Sequence, residues 1–130
     1  MRVAIVGGCA AGLSTALHLA PLVRQGYICG PIDVYEKEAQ TGGEMGVGIW
    51  STALDPYWNS GEESHQLVYQ DMTKQGVYIR DVGYRSPKGH WLAESRLDGD
   101  NLLFLREMDM LASLRKAVHL EEHRGTVALH

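Results

Sequence analysis

The first twelve residues place a short apolar run directly before a cluster of very small residues. Val3–Val6 is apolar, and the positions that follow hold only glycine, alanine or cysteine: Gly7, Gly8, Cys9, Ala10, Ala11 and Gly12. The run predicts a strand, and the small residues predict a tight turn into a helix. Gly7 lets the chain leave the strand sharply, and Gly12 lets the helix lie close to the sheet. This order of strand, turn and helix constrains the fold more than any other feature.

A turn of this kind creates a binding place for an anion. The N–H groups of the first helical turn and the positive end of the helix dipole face the same point. A second apolar run, Ile32–Tyr35, ends at Glu36, where a carboxylate accepts hydrogen bonds from a ribose. Cys9 stands where the usual pattern has its middle glycine, so a βα turn with incidental glycines stays an alternative. The pattern predicts a dinucleotide site, and the charge of Glu36 disfavours a 2′-phosphate, hence NADP.

Further along the chain, apolar residues at helical spacing from Leu13 to Ala20 predict a helix that Pro21 ends or kinks. Thr41–Trp50 contains four glycines within seven positions and predicts a loop rather than an element interior. Ser51–Gln75 predicts two helical pieces broken near Gly61. The chain therefore alternates between strand and helix patterns, which is typical of an α/β fold.

A β-hairpin interrupts this alternation and indicates that a second sheet begins there. Val77–Tyr84 and His90–Glu94 predict strands, and Ser86–Gly89 predicts a type I turn with proline second and glycine fourth. The organisation predicted for residues 1–130 is a βαβ dinucleotide unit over 1–37, a β-hairpin over 76–95 and a closing helix over 103–120.

Composition argues against several classes of function. The chain has 130 residues with 12 basic and 16 acidic side chains, giving a formal net charge of −4. This balance, without a basic run, argues against nucleic-acid binding. We expect neither a signal peptide nor a membrane span. Only Cys9 and Cys29 are present, and we expect both to be unpaired in the reducing cytoplasm.

The order of these features resembles the N-terminal part of the flavin-dependent aromatic hydroxylases and epoxidases, over essentially the whole chain. The resemblance rests on five segments: the small-residue turn, Tyr35–Lys37, Gly46–Ile49 with the helix after it, the 76–94 hairpin, and Leu103–Arg106 before the last helix. It implies a Rossmann-like FAD/NAD(P)-binding βαβ unit with an added hairpin and a closing helix. It also implies that residues 1–130 are the N-terminal part of one FAD-binding domain and that the chain is a fragment of a larger two-domain fold.

The resemblance further implies roles for individual residues. The turn would bind the FAD pyrophosphate, Glu36 the adenosine ribose, and Arg106 the flavin nucleotide. The candidate cofactor-binding residues are Gly7, Gly8, Cys9, Ala10, Ala11, Gly12, Glu36, Lys37, Val47, Gly48 and Arg106. The implied activity transfers one oxygen atom from O₂ to a small organic substrate, with NAD(P)H as electron donor. No catalytic side chain is nominated, because the cofactor performs the difficult step.

Two other functions stay open at this point. An amine oxidase or a similar flavoprotein shares the turn and the acid, but usually has an arginine where this chain has Glu44. A truncated, non-catalytic nucleotide-binding or interaction module is the other alternative. Asp98–Asn101 begins like a further flavin motif but is interpreted as a turn, since the rest of that motif is missing. Apolar surface left uncovered by truncation would favour self-association.

His119–His123 matches H-x-x-E-H, a pattern in which two histidines on a helix bind zinc. A catalytic zinc needs a third protein ligand, and the segment ends an amphipathic helix. A solvated helix end is therefore the favoured interpretation, and no metal site is predicted.

Other histidines and the tryptophans are assigned structural positions. His18 and His65 are expected on exposed helix faces. The three tryptophans are expected to anchor the helix and hairpin, with exposed apolar patches around them: Trp50, Trp58 and Trp91.

Overall fold

The computed structural model describes residues 1–37, 43–97 and 102–130, which form a mixed α/β fold. The elements in chain order are β1 (Ala4–Val6), α1 (Ala10–Arg24), β2 (Ile32–Tyr35), β3 (Gly46–Trp50), α2 (Ser51–Asn59), α3 (Glu63–Gln75), β4 (Val77–Ile79), β5 (Asp81–Arg85), β6 (Trp91–Arg96), β7 (Leu102–Arg106), α4 (Glu107–His123) and β8 (Val127–Leu129). The strands form a parallel sheet β1-β2-β8, an antiparallel sheet β3-β7-β4 and a hairpin β5-β6. The α/β class predicted from the sequence is confirmed.

The parallel sheet holds the first strand–turn–helix unit. β2 lies in the middle, and its Val34 pairs with Ile5 of β1 on one side and with Leu129 of β8 on the other. α1 packs between this sheet and α4. Its buried face is the apolar stripe that the sequence predicted: Leu13, Ala16, Leu17 and Ala20.

Pro21 does not end α1, which is one of the two effects that the sequence predicts for it, the other being a kink. The helix continues to Arg24 with Pro21 inside it. The missing N–H of proline costs the helix its bond to the Leu17 carbonyl. Leu22 and Val23 pack against the core and hold the last turn in place. Packing therefore outweighs the local preference of proline.

β3 was also misassigned, since the sequence predicted a loop over Thr41–Trp50. Residues 41 and 42 lie outside the described residues, but Gly46–Trp50 is a strand paired with β7. A Cβ on Gly46 would lie 2.5 Å from the ring of Phe104. Glycine in this strand accommodates an aromatic side chain on the neighbouring strand instead of forming a turn.

The central helices and the hairpin follow the sequence pattern more closely. α2 and α3 are separated at Gly61, which has a φ of +71°. The single strand predicted over Val77–Tyr84 is instead two strands in different sheets, β4 and β5, because the chain changes partner at Arg80. The turn before β6 is the predicted one, with the Gly89 N–H donating to the Ser86 carbonyl at 2.8 Å.

α4 begins at Glu107, later than the closing helix predicted over 103–120. Leu103 and Leu105 are buried and Phe104 between them is exposed, which is the alternation of a strand. The turn predicted at Asp98–Asn101 lies outside the described residues. Every helix in the described part of the chain is too short or too polar to cross a membrane.

Candidate nucleotide site

The small-residue turn is held by the close approach of α1 to the end of β1. Gly7 has a φ of +104°, a conformation that favours glycine, and its N–H donates to the Tyr35 carbonyl at 2.8 Å. A Cβ on Gly12 would lie 1.8 Å from the Gly7 carbonyl oxygen. No side chain fits at Gly12, and the positive φ of Gly7 favours glycine. The geometry of the turn therefore requires both glycines that the sequence predicts to shape it.

Cys9 caps the N-terminus of α1 in extended conformation, with φ −78° and ψ −175°. Any residue adopts this backbone, so the cysteine does not disturb the turn. Its carbonyl accepts the first helical hydrogen bond, from Leu13 at 2.9 Å, and no side chain caps the helix. Cys9 and Ala11 are exposed and Ala10 is half-buried. The first-turn N–H groups therefore lie beside surface from which an anion can approach.

Glu36 lies against this turn. Its Oε2 accepts a hydrogen bond from the Gly8 N–H at 2.6 Å, and its own backbone N–H donates to the His130 carbonyl at 3.0 Å. A Cβ on Gly8 would lie 3.1 Å from the Cβ of Glu36. The predicted acid is thus beside the predicted phosphate turn, while Lys37 is exposed next to it.

Two aromatic residues that the sequence analysis did not nominate lie beside Glu36. The Tyr35 ring stacks on the His130 ring with centroids 4.8 Å apart, and His130 Nε2 lies 3.0 Å from an Asp33 carboxylate oxygen. Tyr35 ends β2 and His130 follows β8, so both lie at the carboxyl edge of the sheet, where parallel sheets bind ligands. Tyr35 and His130 come together because β8 pairs with β2, and no local sequence pattern indicates that pairing.

The remaining candidate residues lie on the antiparallel sheet. Val47 is half-buried, and Gly48 is exposed opposite Phe104. Arg106 is the N-cap of α4, and its guanidinium pairs with Asp109 at 2.7 and 3.1 Å. The hydrogen bond and charge of Asp109 raise the pKa of Arg106. No hydrogen bond or ion pair described in residues 1–37, 43–97 and 102–130 joins Arg106 to the small-residue turn.

A cleft of about 250 Å³ lies between the small-residue turn, β3 and α4, and Val47, Gly48 and Arg106 are not among the residues that line it. It runs from the first turn of α1 to the end of β3 and to α4. Its lining includes Ala10, Ala11, Ile49 and Met110. The volume suits a ring-sized group rather than a whole dinucleotide. The cleft thus places the first turn of α1, β3 and α4 around a common space.

Polar side chains line one wall of the cleft and continue behind it. The hydroxyls of Ser14 and Tyr57 hydrogen bond at 2.5 Å, and burial raises the pKa of Tyr57 against the opposing effect of Ser14. His18 contacts Tyr57, and His65 contacts both of these rings. His65 is buried, contrary to the sequence expectation, because α3 packs it against α1.

The H-x-x-E-H segment has other partners. Glu122 Oε2 lies 2.6 Å from His119 Nδ1, and its Oε1 accepts from the Leu129 N–H at 3.0 Å. Within the described residues, no group of three histidine, cysteine or acidic side chains is placed to hold a metal ion. Glu122 thus ties α4 to β8.

Comparisons with known proteins find similarity in structure only. No family model and no curated protein matches the chain. A tetrameric form of 2-methyl-3-hydroxypyridine-5-carboxylic acid oxygenase superposes with a TM-score of 0.73 at 14% identity, over 98% of this chain and 31% of that one. p-Nitrophenol 4-monooxygenase PnpA from Pseudomonas putida DLL-E4 gives 0.74 at 20% identity, over 99% and 31%.

A third similar structure carries a cofactor. CtdE, in complex with FAD and a substrate, superposes with a TM-score of 0.68 at 15% identity, over 99% of this chain and 30% of CtdE. The chain thus spans about a third of the length of the solved structures that it matches. At these identities the likeness shows the fold: this chain has the fold of a segment of monooxygenases, as the resemblance in sequence motifs implied.

Proposed function

We propose that the chain is the FAD-binding portion of a flavoprotein monooxygenase and that the small-residue turn binds the FAD pyrophosphate. The close contact between Gly12 and the Gly7 carbonyl is the observation that carries this proposal. It brings the N-terminus of α1 to the end of β1 and leaves its first-turn N–H groups beside accessible surface. Cys9, Ala10 and Ala11 are small enough for a pyrophosphate to approach the backbone.

Glu36 would orient the adenosine half. An ionised carboxylate has about four lone-pair sites, so Glu36, which accepts from Gly8, can also accept from a ribose hydroxyl. The same negative charge repels a 2′-phosphate. The stacked pair of Tyr35 and His130 offers an aromatic surface to adenine beside that ribose. These residues fit the ADP half of FAD.

The other half of the cofactor would extend toward the antiparallel sheet. Val47 and Gly48 lie on β3, which reaches the cleft through Ile49, and Arg106 lies at the start of α4, which reaches it through Met110. The side chain of Arg106 is 65% exposed, so its guanidinium can turn from Asp109 to an anionic group. These residues would orient the flavin nucleotide and restrict water.

The whole enzyme would insert one oxygen atom from O₂ into a small organic substrate, such as an aromatic compound, with NAD(P)H as electron donor. FAD supplies the redox chemistry when bound. This part of the proposal rests on the likeness in fold to the oxygenases named above. The exposed thiols of Cys9 and Cys29 suit a reducing compartment such as the cytoplasm.

A non-catalytic nucleotide-binding module is the second candidate. The observation that favours it is the position of Arg106, the residue expected to contact the flavin nucleotide, because its guanidinium pairs with Asp109. Such a module would bind ADP as tightly as FAD, because only the ADP half would be recognised. A working FAD site would prefer FAD.

Titration of the purified apoprotein with FAD, followed by flavin fluorescence, tests both candidates. We expect saturable binding that Glu36→Ala weakens about tenfold or more, because a hydrogen bond to a charged group is lost. Glu94→Ala is the matched control on the hairpin and should leave the affinity unchanged. A folded chain that does not bind FAD would overturn the proposal, and equal affinity for ADP and FAD would favour the non-catalytic module.

A further inference from the structure

A cluster of polar side chains lies where α1, α2 and α3 meet. His65 of α3 is 2% exposed, and its ring centroid lies 4.5 Å from that of His18 on α1 and 5.4 Å from that of Tyr57 on α2. Neither ring nitrogen of His65 has a hydrogen bond of good geometry. A buried polar group without a partner is rare, because it loses water and gains nothing in exchange. These contacts join helices of this chain, so they do not depend on which of its surfaces another segment covers.

The surroundings of His65 suit the neutral ring and oppose the charged one. Burial lowers the pKa of His65 from 6.5, and the charge of His18 acts in the same direction. The Leu17 carbonyl on α1, Glu62 before α3 and Glu121 on α4 act against this shift, and the pKa remains lowered. Both glutamates are already paired with arginines. An imidazolium in this place would bury two N–H donors with little to accept from them, so its protonation favours any movement that admits water.

Tyr57 connects His65 with the cleft beside the small-residue turn. Its ring contacts both histidine rings, and its hydroxyl lies 2.5 Å from that of Ser14 on α1. Burial raises the pKa of Tyr57, so the hydroxyl stays neutral and adds no charge that could stabilise a protonated His65. Ser14 and Tyr57 both line the cleft. The residue that holds α2 against α1 is therefore in contact with the histidine whose charge the site opposes.

α2 is the least anchored of the three helices at this junction. It has nine residues, of which only Leu54 and Tyr57 are buried, whereas α1 buries five residues and α3 buries four. No side chain caps the N-terminus of α2, and Pro56 within it lacks a backbone donor. An element with few buried contacts opens at a lower free energy than the rest of a fold. A charge on His65 is therefore accommodated most readily by release of α2.

We propose that α2 is an acid-released wall of the cleft, and that uptake of a proton by His65 separates Tyr57 from Ser14 and α2 from α1. At neutral pH the His65 ring is uncharged and the wall is closed. Because the folded-state pKa of His65 is lowered, the wall opens only below about pH 6.5. Water then reaches the imidazolium through the gap that α2 leaves, and a ligand held in the cleft is released.

NMR of the isotope-labelled chain between pH 7.5 and 5.0 tests this proposal. We expect the His65 ring to titrate with a midpoint below 6.5. With the same midpoint, the α2 amides should lose at least about tenfold of their protection from hydrogen exchange, because a helix this short is marginal by itself. The amides of β4 and β7 should keep their protection.

Three variants separate the roles of the charge and of the contact with α1. His65→Gln cannot gain a charge, so its α2 should stay protected over the whole pH range. Tyr57→Phe loses the hydrogen bond to Ser14 and should raise the midpoint by about half a pH unit, because the closed state that excludes the proton is weaker. His90→Gln, in the exposed turn of the hairpin, is the matched control and should titrate like the wild type.

Titration of His65 without loss of protection in α2 would overturn the proposal. Protection lost in all elements together would show unfolding instead of release of one helix and would also overturn it, as would an unchanged midpoint in Tyr57→Phe. The measurement uses no nucleotide. Release of α2 in a chain that does not bind FAD would support this proposal and contradict only the proposed function.

Discussion

Cys9 lies at the point where the turn meets the first turn of α1, and its thiol is exposed. Its Cβ is tolerated because the backbone there is extended, but a larger group would cover the first-turn N–H groups. We expect alkylation of Cys9 with N-ethylmaleimide to abolish FAD binding, and bound FAD to slow the alkylation. The measurement uses Cys29→Ser, so that one thiol reacts, followed by mass spectrometry and FAD titration.

The matched control for this prediction is Cys9→Ser in the same background. Serine is the same size and does not react with maleimide, so its FAD binding should survive the treatment. Alkylated protein that still binds FAD with unchanged affinity would place the nucleotide away from the α1 N-terminus.

Residues that act through near neighbours were predictable from the sequence. Gly7 and Gly12 are close in the chain. Glu36 directly follows β2, the strand that pairs with β1, so a single βαβ unit brings all three residues together. His65 was wrongly expected to be exposed, because its burial depends on how α3 packs against α1. Helical periodicity reports which face of a helix is apolar, but not where a neighbouring helix will cover a polar one.

At the level of elements, Glu121 joins three helices. Its carboxylate accepts from Arg24 of α1 at 2.6 Å, from Arg124 at 3.2 Å and from the Thr126 hydroxyl at 2.6 Å. The two arginines also pair with glutamates at the start of α3. We expect Glu121→Ala to lower the free energy of unfolding by about 2 kcal/mol, because two arginines lose a buried partner. The loss is no larger because both arginines can still reach water. Urea unfolding measures this, with Glu94→Ala as an exposed control.

The same carboxylate makes stability depend on pH. Burial alone would raise the pKa of Glu121, but hydrogen bonds from Thr126 and Ser64 and the charges of Arg24 and Arg124 lower it from 4.5. The stabilisation is therefore complete above pH 4.5 and is lost as the pH falls through the lower folded-state pKa. Glu121→Gln should flatten the acid limb of the stability profile. An unchanged acid limb would contradict the assignment.

His65 adds an acid-sensitive contact between α1, α2 and α3. Burial is the largest influence on the pKa of His65 and lowers it from 6.5, with a nearby His18 acting in the same direction. The Leu17 carbonyl, left without a helical donor by Pro21, and the charges of Glu62 and Glu121 oppose this shift. Neither ring nitrogen has a hydrogen bond of good geometry. Below about pH 6.5 the unfolded chain takes up a proton before the folded chain does, so stability falls.

His65→Leu should remove that loss and leave stability at pH 7.5 equal to or above the wild type. Leucine fills a similar space and carries no unpaired polar atoms. Urea midpoints at pH 7.5 and 5.5 measure both effects, and His90→Gln in the exposed turn serves as the control. A leucine variant that loses as much stability on acidification as the wild type would show that another group is responsible.

For the molecule as a whole, the sequence indicated which segments form elements better than which elements pair. The α/β class, the break between α2 and α3 and the turn of the hairpin all follow from local residue preferences. The sequence predicts a loop at β3 because its glycines resemble turn residues. Their actual role is to leave room for the side chain of Phe104 on β7, a strand far along the chain. Likewise, nothing local to Val77–Tyr84 shows that β4 and β5 belong to different sheets.

The positions of the three tryptophans also depend on how the elements pack, which the sequence does not indicate. They were expected as core anchors, but Trp50, Trp58 and Trp91 are 53%, 58% and 50% exposed. Val6 on β1 is 91% exposed as well, although strands of parallel sheets are usually covered on both faces. The three tryptophans are therefore exposed apolar side chains rather than core anchors.

We expect this chain to bind an apolar dye such as anilinonaphthalene sulfonate while fully folded, because large apolar side chains remain in water. Acrylamide should quench the tryptophan fluorescence of the folded chain almost as efficiently as that of the unfolded chain. A partly folded state would also bind the dye, but it would lack near-ultraviolet circular dichroism and a cooperative unfolding transition. If the folded chain shows both of these and binds little dye, other surfaces must cover the tryptophans.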